Sequence, residues 1–478
     1  MEMFIDGAPC ASLSGRRLAV VNPAHGEAFD DVPLADAADV DAALRSAGRA
    51  FAAWKVTPIV ERVKLQHRAA ALIRSRAGEL GALLRRELGR PLAGCLGEIE
   101  RACELLDVYA EEGLRLGSEI LPGGPGEKTL IVREPVGVVV AITPFNYPIN
   151  LLIFKLGAAL IAGCAVVAKP AEDTPLTTIR LAEWLFEAGY PAGVFNVVTG
   201  GREVGEALIA HPIPAKIAFT GGVAAGKQIA AAAAGSLKRV TLELGGQSPA
   251  IVCRDADLDR AAQSLVRHGF ANSGQFCYRV NRIYAERPIY EALVERLVFH
   301  AAKLETGDPA GGVALGPLVN EKIFANAYEQ INDARLKGAR IALGGERLRG
   351  GAFERGFYLP PTIVADARPD MAILREETFG PVLGVAPFDS REAALAEANA
   401  TRFGLAAFVF TADLRVGLSF AERLEAGSVW VNDIQRSSHR APFGGVKDSG
   451  MGREKGRYGV EDYLEYKTIY LSYAQGLE

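Results

Sequence analysis

Short apolar runs alternate with helical stretches from Val136 onward, and this pattern constrains the fold more than any other feature of the sequence. Apolar strands that alternate with helices are typical of an α/β fold, in which helices cover both faces of a parallel sheet. The apolar runs are 138–142, 165–168, 194–198, 216–219 and 240–242, and the helical stretches between them are about 149–161, 174–188, 202–210 and 223–234.

The residues that directly follow each apolar run are candidates for a binding site, because ligands of parallel sheets bind beyond the carboxyl ends of the strands. We therefore expect one site at this edge of the sheet to draw on several segments of the chain. The segments are Thr143-Pro144-Phe145-Asn146, Lys169-Pro170-Ala171-Glu172, Thr220-Gly221-Gly222 and Glu243-Leu244-Gly245-Gly246.

A second alternating region begins near Ser248 and runs to about Gly445, with strands near 250–252, 282–285, 382–387, 407–411 and 428–431. A chain of 478 residues has room for two or three domains. Gly245-Gly246 is the predicted hinge between the two regions. The tail from Leu464 to Tyr473 is predicted to be a strand, and its partner is either the β run 129–133 or another subunit.

The charge balance excludes two classes of partner. The chain carries 53 Lys and Arg against 57 Asp and Glu, a net charge of −4, which predicts no general attraction to nucleic acid or anionic lipid.

The apolar run 151–168 is interrupted by Lys155 and two glycines, which indicates a buried helix and strand instead of a membrane span. Arg85, Arg86 and Glu87 are expected on a solvated helix face. The first residues lack the pattern of a signal peptide, so a cytoplasmic location is expected.

Cys277 is the strongest candidate for a reactive group. The six cysteines and six histidines are scattered without CxxC spacing, which predicts neither a zinc site nor a disulfide framework. Cys277 follows a turn of small residues, Asn272-Ser273-Gly274, which would let a substrate approach its sulfur closely. It is a candidate nucleophile provided that a base or a local field makes it a thiolate. The alternative from this stretch alone is a small buried side chain.

Two types of phosphate site compete at one glycine-rich turn. The run from Gly221 to Lys227 has the spacing of a P-loop, but Gln228 follows where a magnesium-binding hydroxyl is needed. We favour a helix N-terminus that faces a pyrophosphate, with Gly221 and Gly222 allowing close approach. A tight strand-to-helix turn without a ligand is the alternative.

Polar side chains after three strands suggest further roles. Lys169 can donate to a ribose or a 2′-phosphate, whereas Glu172 accepts from ribose hydroxyls and repels a 2′-phosphate, which favours NAD over NADP. Glu243 precedes two glycines and is a candidate general base. The Asn146 amide is a candidate donor to an oxyanion. Each of these residues alone is also typical of an ordinary turn or surface position.

Taken together, seven motifs resemble the NAD(P)-dependent aldehyde dehydrogenase superfamily in their order along nearly the whole chain. They are Pro144-Phe145-Asn146-Tyr147-Pro148, Lys169-Pro170-Ala171-Glu172, Phe219-Thr220-Gly221-Gly222, Glu243-Leu244-Gly245-Gly246, Gly274-Gln275-Phe276-Cys277, Glu377-Thr378-Phe379-Gly380-Pro381 and Pro442-Phe443-Gly444-Gly445. The resemblance implies a Rossmann-like cofactor domain (1–117 and 136–245), an α/β catalytic domain (246–445), and an oligomerisation ribbon with the tail (118–135 and 446–478). It also implies a homodimer or homotetramer.

The resemblance implies an oxidation in which Cys277 attacks the aldehyde to give a thiohemiacetal, whose oxyanion is held by Asn146 and the Cys277 backbone N–H. Loss of hydride to NAD would then give a thioester, and Glu243 would activate the water that hydrolyses it. Lys169 and Glu172 would bind the adenosine ribose. The remaining cofactor residues implied are Thr143, Pro144, Phe145, Gly221, Gly222, Leu244, Glu377 and Phe379.

The resemblance is strongest to the succinate-semialdehyde dehydrogenase branch, through the segment from Lys447 to Gly452. That branch carries an arginine shortly before the cysteine, where this chain has Phe270-Ala271-Asn272. Arg279, His439 and Arg440 are candidates to contact an anionic tail of a small aldehyde. Alternatives are an NADP-preferring or CoA-acylating relative and a non-catalytic structural homologue.

Overall fold

The computed structural model describes residues 1–434 and 438–473. Its elements are numbered along the chain. The strands are β1 Met3–Ile5, β2 Ala8–Cys10, β3 Arg17–Asn22, β4 Glu27–Pro33, β5 Glu119–Leu121, β6 Glu127–Pro135, β7 Val138–Ile142, β8 Ala165–Lys169, β9 Phe195–Val197, β10 Pro214–Thr220, β11 Arg239–Glu243, β12 Ser248–Val252, β13 Val280–Glu286, β14 Arg340–Leu343, β15 Thr362–Ala365, β16 Val382–Phe388, β17 Phe403–Gly404, β18 Ala406–Phe410, β19 Ser428–Val431, β20 Val446–Lys447, β21 Gly450–Met451 and β22 Leu464–Ser472.

Helices cover the sheets and fill the connections between strands. They are α1 Ala37–Trp54, α2 Ile59–Ser75, α3 Ala77–Leu88, α4 Leu92–Gly113, α5 Pro148–Ala162, α6 Leu176–Glu187, α7 Arg202–Ala210, α8 Val223–Ala234, α9 Leu258–Gly269, α10 Tyr290–Ala301, α11 Glu321–Leu336, α12 Ala372–Arg375, α13 Arg391–Asn399, α14 Leu414–Arg423 and α15 Gly456–Glu461. Within the described ranges, none of them is both long and apolar enough to cross a membrane.

The predicted α/β class is confirmed by two sheets. The first has the order β2-β1-β9-β8-β7-β10-β11-β21, and its five central strands from β9 to β11 run parallel. The second has the order β14-β15-β16-β13-β12-β18-β19 and is parallel except for β14. The central strands β7, β8, β12 and β13 are buried along their whole length, as expected for strands covered on both faces.

A three-stranded antiparallel ribbon of order β22-β6-β5 stands apart from both sheets. β22 pairs with β6 over its full length, from Leu464 opposite Pro135 to Ser472 opposite Glu127. Of the two partners predicted for the tail, the neighbouring run within the same chain is therefore confirmed. The remaining strands form the hairpin β3–β4 and the short pair β17–β20.

Helix α5 is buried at every position except Asn150, which explains why most of its residues are apolar. It begins at Pro148, where the missing N–H costs no hydrogen bond, and ends at Gly163, whose φ of +100° suits glycine. Lys155 lies in the middle of this buried helix and is fully buried itself. A charge in such a place requires a partner, which is described below.

The prediction that Glu87 lies on a solvated face is wrong. Its carboxylate is fully buried at the end of α3 and accepts hydrogen bonds from the backbone N–H groups of Leu176 (2.9 Å) and Thr177 (3.2 Å). Glu87 thus caps the first turn of α6, a contact between segments distant in sequence. Burial raises the pKa of this carboxyl to about 8.

Candidate active site

The carboxyl ends of the parallel strands lie side by side, as the sequence predicts. The register pairs Lys169 at the end of β8 with Ile142 at the end of β7, and pairs Thr220 of β10 with Glu243 of β11. The N–H of Thr143 donates to the Lys169 carbonyl at 3.2 Å. The segments that follow four strands therefore meet at one edge of the first sheet.

The loop before Cys277 has an unusual backbone. Asn272, Ser273 and Gly274 all have positive φ values, of 50°, 54° and 73°. A Cβ on Gly274 would lie 2.1 Å from the Gly380 carbonyl oxygen, so only glycine fits there. This turn brings the cysteine loop against the segment Glu377–Pro381, two motifs that are about a hundred residues apart in the sequence.

Cys277 is partly exposed, while four other cysteines are buried. Burial of the sulfur, with the nearby carboxylates of Glu243 and Glu377, raises the pKa of the thiol, although the backbone N–H groups of Cys277 and Tyr278 lower it. In the protein without cofactor or substrate, the side chain of Cys277 is therefore in its thiol form. Its ionisation requires a local positive charge or the removal of negative charge.

Asn146 is buried and lies beside the cysteine loop. Its Nδ2 donates to the Gln275 carbonyl at 3.1 Å, two residues before Cys277. Its Oδ1 has no hydrogen-bond partner among the described residues. One N–H of the amide holds the loop, and the second remains for an oxygen bound at the sulfur.

A buried ion pair that the sequence did not reveal positions Asn146. The guanidinium of Arg90 contacts the Glu98 carboxylate and the Asn146 carbonyl, and it donates to Asn272 Oδ1 at 2.8 Å. Glu98 in turn accepts from the N–H groups of Ile149 and Asn150, both at 3.0 Å, at the start of α5. The pair connects the Asn146 turn to the cysteine loop. The only sequence feature that pointed to this region was Pro91, which begins a helix directly after Arg90.

Glu243 ends β11 and is buried. Neither oxygen of its carboxyl group has a hydrogen-bond partner among the described residues. Burial and the nearby charge of Glu454 raise the pKa of Glu243 well above its ordinary value, which favours the protonated form. Its two free oxygens leave it able to bind and deprotonate a water once its own proton has been passed on.

Lys155 and Glu454 form a second buried ion pair next to Glu243. Lys155 Nζ lies 2.6 Å from both Glu454 Oε1 and Thr220 Oγ1. Glu454 Oε2 is buried and has no partner in the described part of the chain. Both charges act on the Glu243 carboxyl. The lysine was visible in the sequence as an interruption of an apolar helix, but its partner lies 299 residues away.

Two of the predicted cofactor residues, Gly222 and Glu377, line one groove. A cavity of about 550 Å³ extends from Gly222 at the start of α8 to Glu377. The N-terminus of α8 has no side-chain cap, and the space beside Gly222 is open. Unpaired N–H groups at such a helix end suit a phosphate. Leu244 packs against α8 at Gly226, where a Cβ would lie 2.5 Å from a methyl group of the leucine.

Thr143, Phe145, Glu377 and Phe379 are further residues predicted to bind the cofactor. The carboxylate of Glu377 accepts from the Gly246 N–H at 3.0 Å, and burial raises its pKa to about 7. The rings of Phe145 and Phe379 meet edge to face with centroids 5.8 Å apart. Thr143 Oγ1 is buried and has no partner among the described residues. Together with the uncapped start of α8, these groups fit a bound dinucleotide.

Lys169 and Glu172 lie at the far side of the same edge. Lys169 is buried, and the burial lowers its pKa, while the charges of Glu172 and Glu203 oppose that shift. Glu172 is exposed. Its carboxylate lies close to Gly201, since Oε1 would be only 3.0 Å from a Cβ placed on that glycine. Lys227, the lysine of the P-loop alternative, instead forms an ion pair with Asp448 at 2.7 Å.

Two of the three residues predicted to contact an anionic substrate are bound elsewhere. The Arg279 guanidinium is buried and donates to the carbonyls of Val280 and Val382, both at 2.9 Å. Arg440 forms ion pairs with Glu111 and Glu112 on α4. These residues are close to Cys277 or to the Pro442 motif along the chain, but their guanidinium groups are bound to backbone carbonyls or to carboxylates of α4.

His439, the third of these residues, lies nearer to the site. Its Nε2 is 3.2 Å from Glu104 Oε2, and the charges of Arg101 and Lys455 act on the ring. Burial and these two cations lower its pKa. The ring is therefore neutral at neutral pH, so it can offer an anion a hydrogen bond but no charge.

Comparisons with known proteins agree with this geometry. Residues 11–469 match the sequence model of the aldehyde dehydrogenase family. The chain is 41% identical to the succinate-semialdehyde dehydrogenase [NADP(+)] of Escherichia coli, over 98% of this chain and 97% of the relative. It is also 41% identical to the 3-sulfolactaldehyde dehydrogenase of Pseudomonas putida, over 98% and 96%. The crystal structure of betaine aldehyde dehydrogenase from Staphylococcus aureus in complex with NAD+ superposes with a TM-score of 0.96 at 32% identity, covering 100% of this chain and 95% of that one.

Proposed function

This chain belongs to the aldehyde dehydrogenase family, and we propose that Cys277 is the nucleophile with which it oxidises an aldehyde to the carboxylic acid. The observation that supports this role most directly is the position of the thiol. It lies close enough to Glu243 and Glu377 for the charges of both carboxylates to raise its pKa. One of these carboxyl groups ends the strand β11, and the other lines the cofactor groove. A substrate at the sulfur would therefore lie between a candidate base and a candidate hydride acceptor.

The proposed reaction begins when the Cys277 thiol loses its proton to solvent. The thiolate Sγ then bonds to the carbonyl carbon, and the electron pair of the carbonyl π bond moves to the oxygen, which takes up the negative charge. Asn146 Nδ2, already beside the cysteine loop, and the Cys277 backbone N–H donate to that oxygen. A bound nicotinamide dinucleotide supplies the oxidant at this stage. The residues proposed to hold it are Thr143, Pro144, Phe145, Lys169, Glu172, Gly221, Gly222, Leu244, Glu377 and Phe379.

In the second half of the reaction, Glu243 removes a proton from the water that attacks the thioester on Cys277. Glu243 acts as a base in its deprotonated form, although burial raises its pKa and favours the neutral form. The oxygen of Glu454 that has no partner among the described residues, in the pair with Lys155, is proposed to take the proton. A carboxyl group in this position favours hydrolysis to the acid over transfer of the acyl group to CoA.

We test the activity by following reduction of NAD+ and of NADP+ with acidic, neutral and cationic aldehydes of similar length. Appearance of the reduced cofactor only when aldehyde is present supports the assignment. Formation of the carboxylic acid without added CoA distinguishes hydrolysis from acyl transfer. A chain that binds dinucleotide but oxidises none of these aldehydes would be a non-catalytic homologue.

We further propose that NAD is preferred over NADP because of Glu172. Its carboxylate is close enough for its charge to act on Lys169, and it would repel a 2′-phosphate bound there. Glu172→Ser should raise kcat/KM for NADP relative to NAD by about 10-fold or more, since the like-charge repulsion is removed. The control is Glu206→Ser, because Glu206 is an exposed carboxylate already paired with Arg202 on α7. An equal cofactor ratio in both variants would show that Glu172 does not set the preference.

The ribbon supports a proposal of self-association into a dimer or tetramer. Its two outer strands expose apolar side chains, including Ile120 (66% exposed), Tyr466 (59%) and Tyr470 (80%). β22 pairs with β6 along one edge, and its other edge has no partner in the described part of the chain. Exposed apolar edges of this kind commonly pair with a second copy. Light scattering should give at least twice the chain mass of 50.9 kDa, and a mass of one chain would refute this proposal.

A further inference from the structure

We propose that His268 is a positioning residue for Cys277, because its imidazole ties together the two ends of the loop that carries the nucleophile. This inference rests on the proposed role of Cys277 and adds a residue that acts through the cysteine and its neighbours. The loop leaves α9 at Gly269 and enters β13 at Val280.

A hydrogen bond from the backbone to His268 closes the base of this loop. The N–H of Val280 donates to His268 Nδ1 at 3.2 Å, between residues twelve positions apart. His268 lies at the end of α9, and Val280 is the first residue of β13. The pairing of β12 with β13 shifts its register at this end, so the imidazole supplies an acceptor where the sheet is irregular. One side chain therefore joins the helix before Cys277 to the strand after it.

The same ring packs against both neighbours of Cys277. The centroid of the His268 ring lies 4.9 Å from that of Phe276, with the planes at 87°, and 5.4 Å from that of Tyr278. Phe408 of β18 packs on the ring as well, at 5.1 Å and 70°. Aromatic rings at such separations and angles attract one another. His268 thus holds the side chains directly before and directly after the nucleophile.

Holding these two residues also fixes the peptide groups around the sulfur. The backbone N–H groups of Cys277 and Tyr278 lower the pKa of the thiol, against the effects of burial, Glu243 and Glu377. The Cys277 N–H is in addition a proposed donor to the oxyanion. Both N–H groups lie between the Phe276 and Tyr278 side chains, so a loop free to rotate would lose their alignment with the reacting atoms.

The imidazole uses one nitrogen as an acceptor and stays neutral. Because Nδ1 accepts from Val280, the ring proton lies on Nε2, which is buried and has no hydrogen-bond partner among the described residues. Burial, with the charges of Arg279 and Arg267, lowers the pKa of His268 to about 3, so Nδ1 remains an acceptor at neutral pH. A phenyl ring would fill this space without burying an unpaired N–H. The acceptor at Nδ1, more than the packing, therefore accounts for a histidine here.

Three substitutions separate the acceptor from the ring. His268→Phe and His268→Leu keep an apolar side chain and remove the acceptor, whereas His268→Asn keeps an oxygen near the place of Nδ1 and removes the ring. All three should melt at a lower temperature, the first two because the Val280 N–H is left unpaired and the third because a cavity remains. His300→Asn is the control, since His300 on α10 pairs with the exposed Asp259 and should affect no measurement.

The first measurement is the rate of NADH formation in the first turnover, at saturating NAD+, with 5-oxopentanoate and with pentanal. His268→Phe and His268→Leu should slow it by about 10- to 100-fold with both aldehydes, because the nucleophile is misplaced. KM for the aldehydes should change by less than about 3-fold. His268→Asn should stay within about 3-fold of the unaltered enzyme despite its lower melting temperature. If one of the apolar variants does not fold, the other supplies the comparison.

The second measurement follows alkylation of Cys277 by iodoacetamide as a function of pH, without cofactor or aldehyde, by mass spectrometry of the cysteine peptide. In His268→Phe and His268→Leu, the rise of the rate with pH should move to higher pH, because misaligned N–H groups no longer favour the thiolate. In His268→Asn the profile should match that of the unaltered enzyme. Glu243 and Glu377 are present in every variant, so their effect on the thiol cancels in the comparison.

Two results would overturn the inference. An unchanged first turnover in both apolar variants would show that the bond to Val280 does not position Cys277. Equal losses in all three variants, or losses in proportion to the fall in melting temperature, would show that His268 only stabilises the fold. An unaltered enzyme that forms no NADH would instead refute the proposed function, and the alkylation profiles, which need no substrate, would still decide whether His268 orients the thiol.

Discussion

Replacing Cys277 with alanine is expected to reduce kcat for aldehyde oxidation by about 10⁴- to 10⁶-fold, because no covalent adduct can form. An aldehyde gives up a hydride readily only after a nucleophile has added to it and left negative charge on its oxygen. Asn146 and the backbone N–H can stabilise that charge but cannot create it. The variant should still bind NAD+, because the groove from Gly222 to Glu377 is built without the sulfur.

The measurement is steady-state production of NADH, together with titration of NAD+ binding by fluorescence. Cys10→Ala is the matched control, since Cys10 is the other cysteine that is not buried. It lies in the strand β2 at the edge of the first sheet and should have no effect on turnover. Full activity in Cys277→Ala, or equal losses in both variants, would remove Cys277 from the mechanism.

Replacing Glu243 with glutamine is expected to separate the two halves of the reaction. One equivalent of NADH should form in a rapid burst, and turnover should then slow by about 10²- to 10⁴-fold, because no base activates the water. The fold should be retained, since the raised pKa favours the protonated carboxyl group and glutamine has the same shape. Rapid-mixing absorbance measurements would give the burst amplitude, and mass spectrometry of the quenched protein would detect the acylated Cys277.

The pH dependence gives a second check on Glu243. The pKa of this carboxyl is raised, so the deprotonated form that can act as a base becomes more abundant as pH increases. The hydrolytic step should therefore accelerate toward alkaline pH in the unaltered enzyme, and this dependence should be absent in Glu243→Gln. The double variant with Cys277→Ala should show no burst. Steady turnover in Glu243→Gln at the unaltered rate would assign the base to another group.

The fold could be predicted because the alternation of strands and helices is a local signal. The strand β7 and the helices α7 and α8 have the bounds that the sequence predicted, and the strands β8, β9, β10 and β11 differ from the predicted runs by at most two residues at each end. The short pair β17–β20 was not predicted, since two-residue strands leave no pattern in hydropathy. The edge strand β21 was missed for the same reason.

The site was predictable where a residue follows a strand and not where it depends on a distant partner. Asn146, Lys169 and Glu243 could be predicted to lie at one edge of the sheet because the ends of neighbouring parallel strands must meet, and the strand register has their segments there. The sequence did not predict the roles of Lys155 and Arg90, because the carboxylates that bind them lie on other elements. The direction in which the Arg279 side chain points was likewise invisible in the sequence.

The C-terminal stretch from Val446 to Ser472 contributes β21 to the first sheet, Glu454 to the pair with Lys155, and β22 to the ribbon. Lys155 and its carboxylate partner Glu454 are therefore 299 residues apart in the chain. A lone buried ammonium is strongly unfavourable, so the packing of α5 depends on the packing of this C-terminal stretch. Removal of the stretch should therefore disturb the core of the first sheet as well as the ribbon.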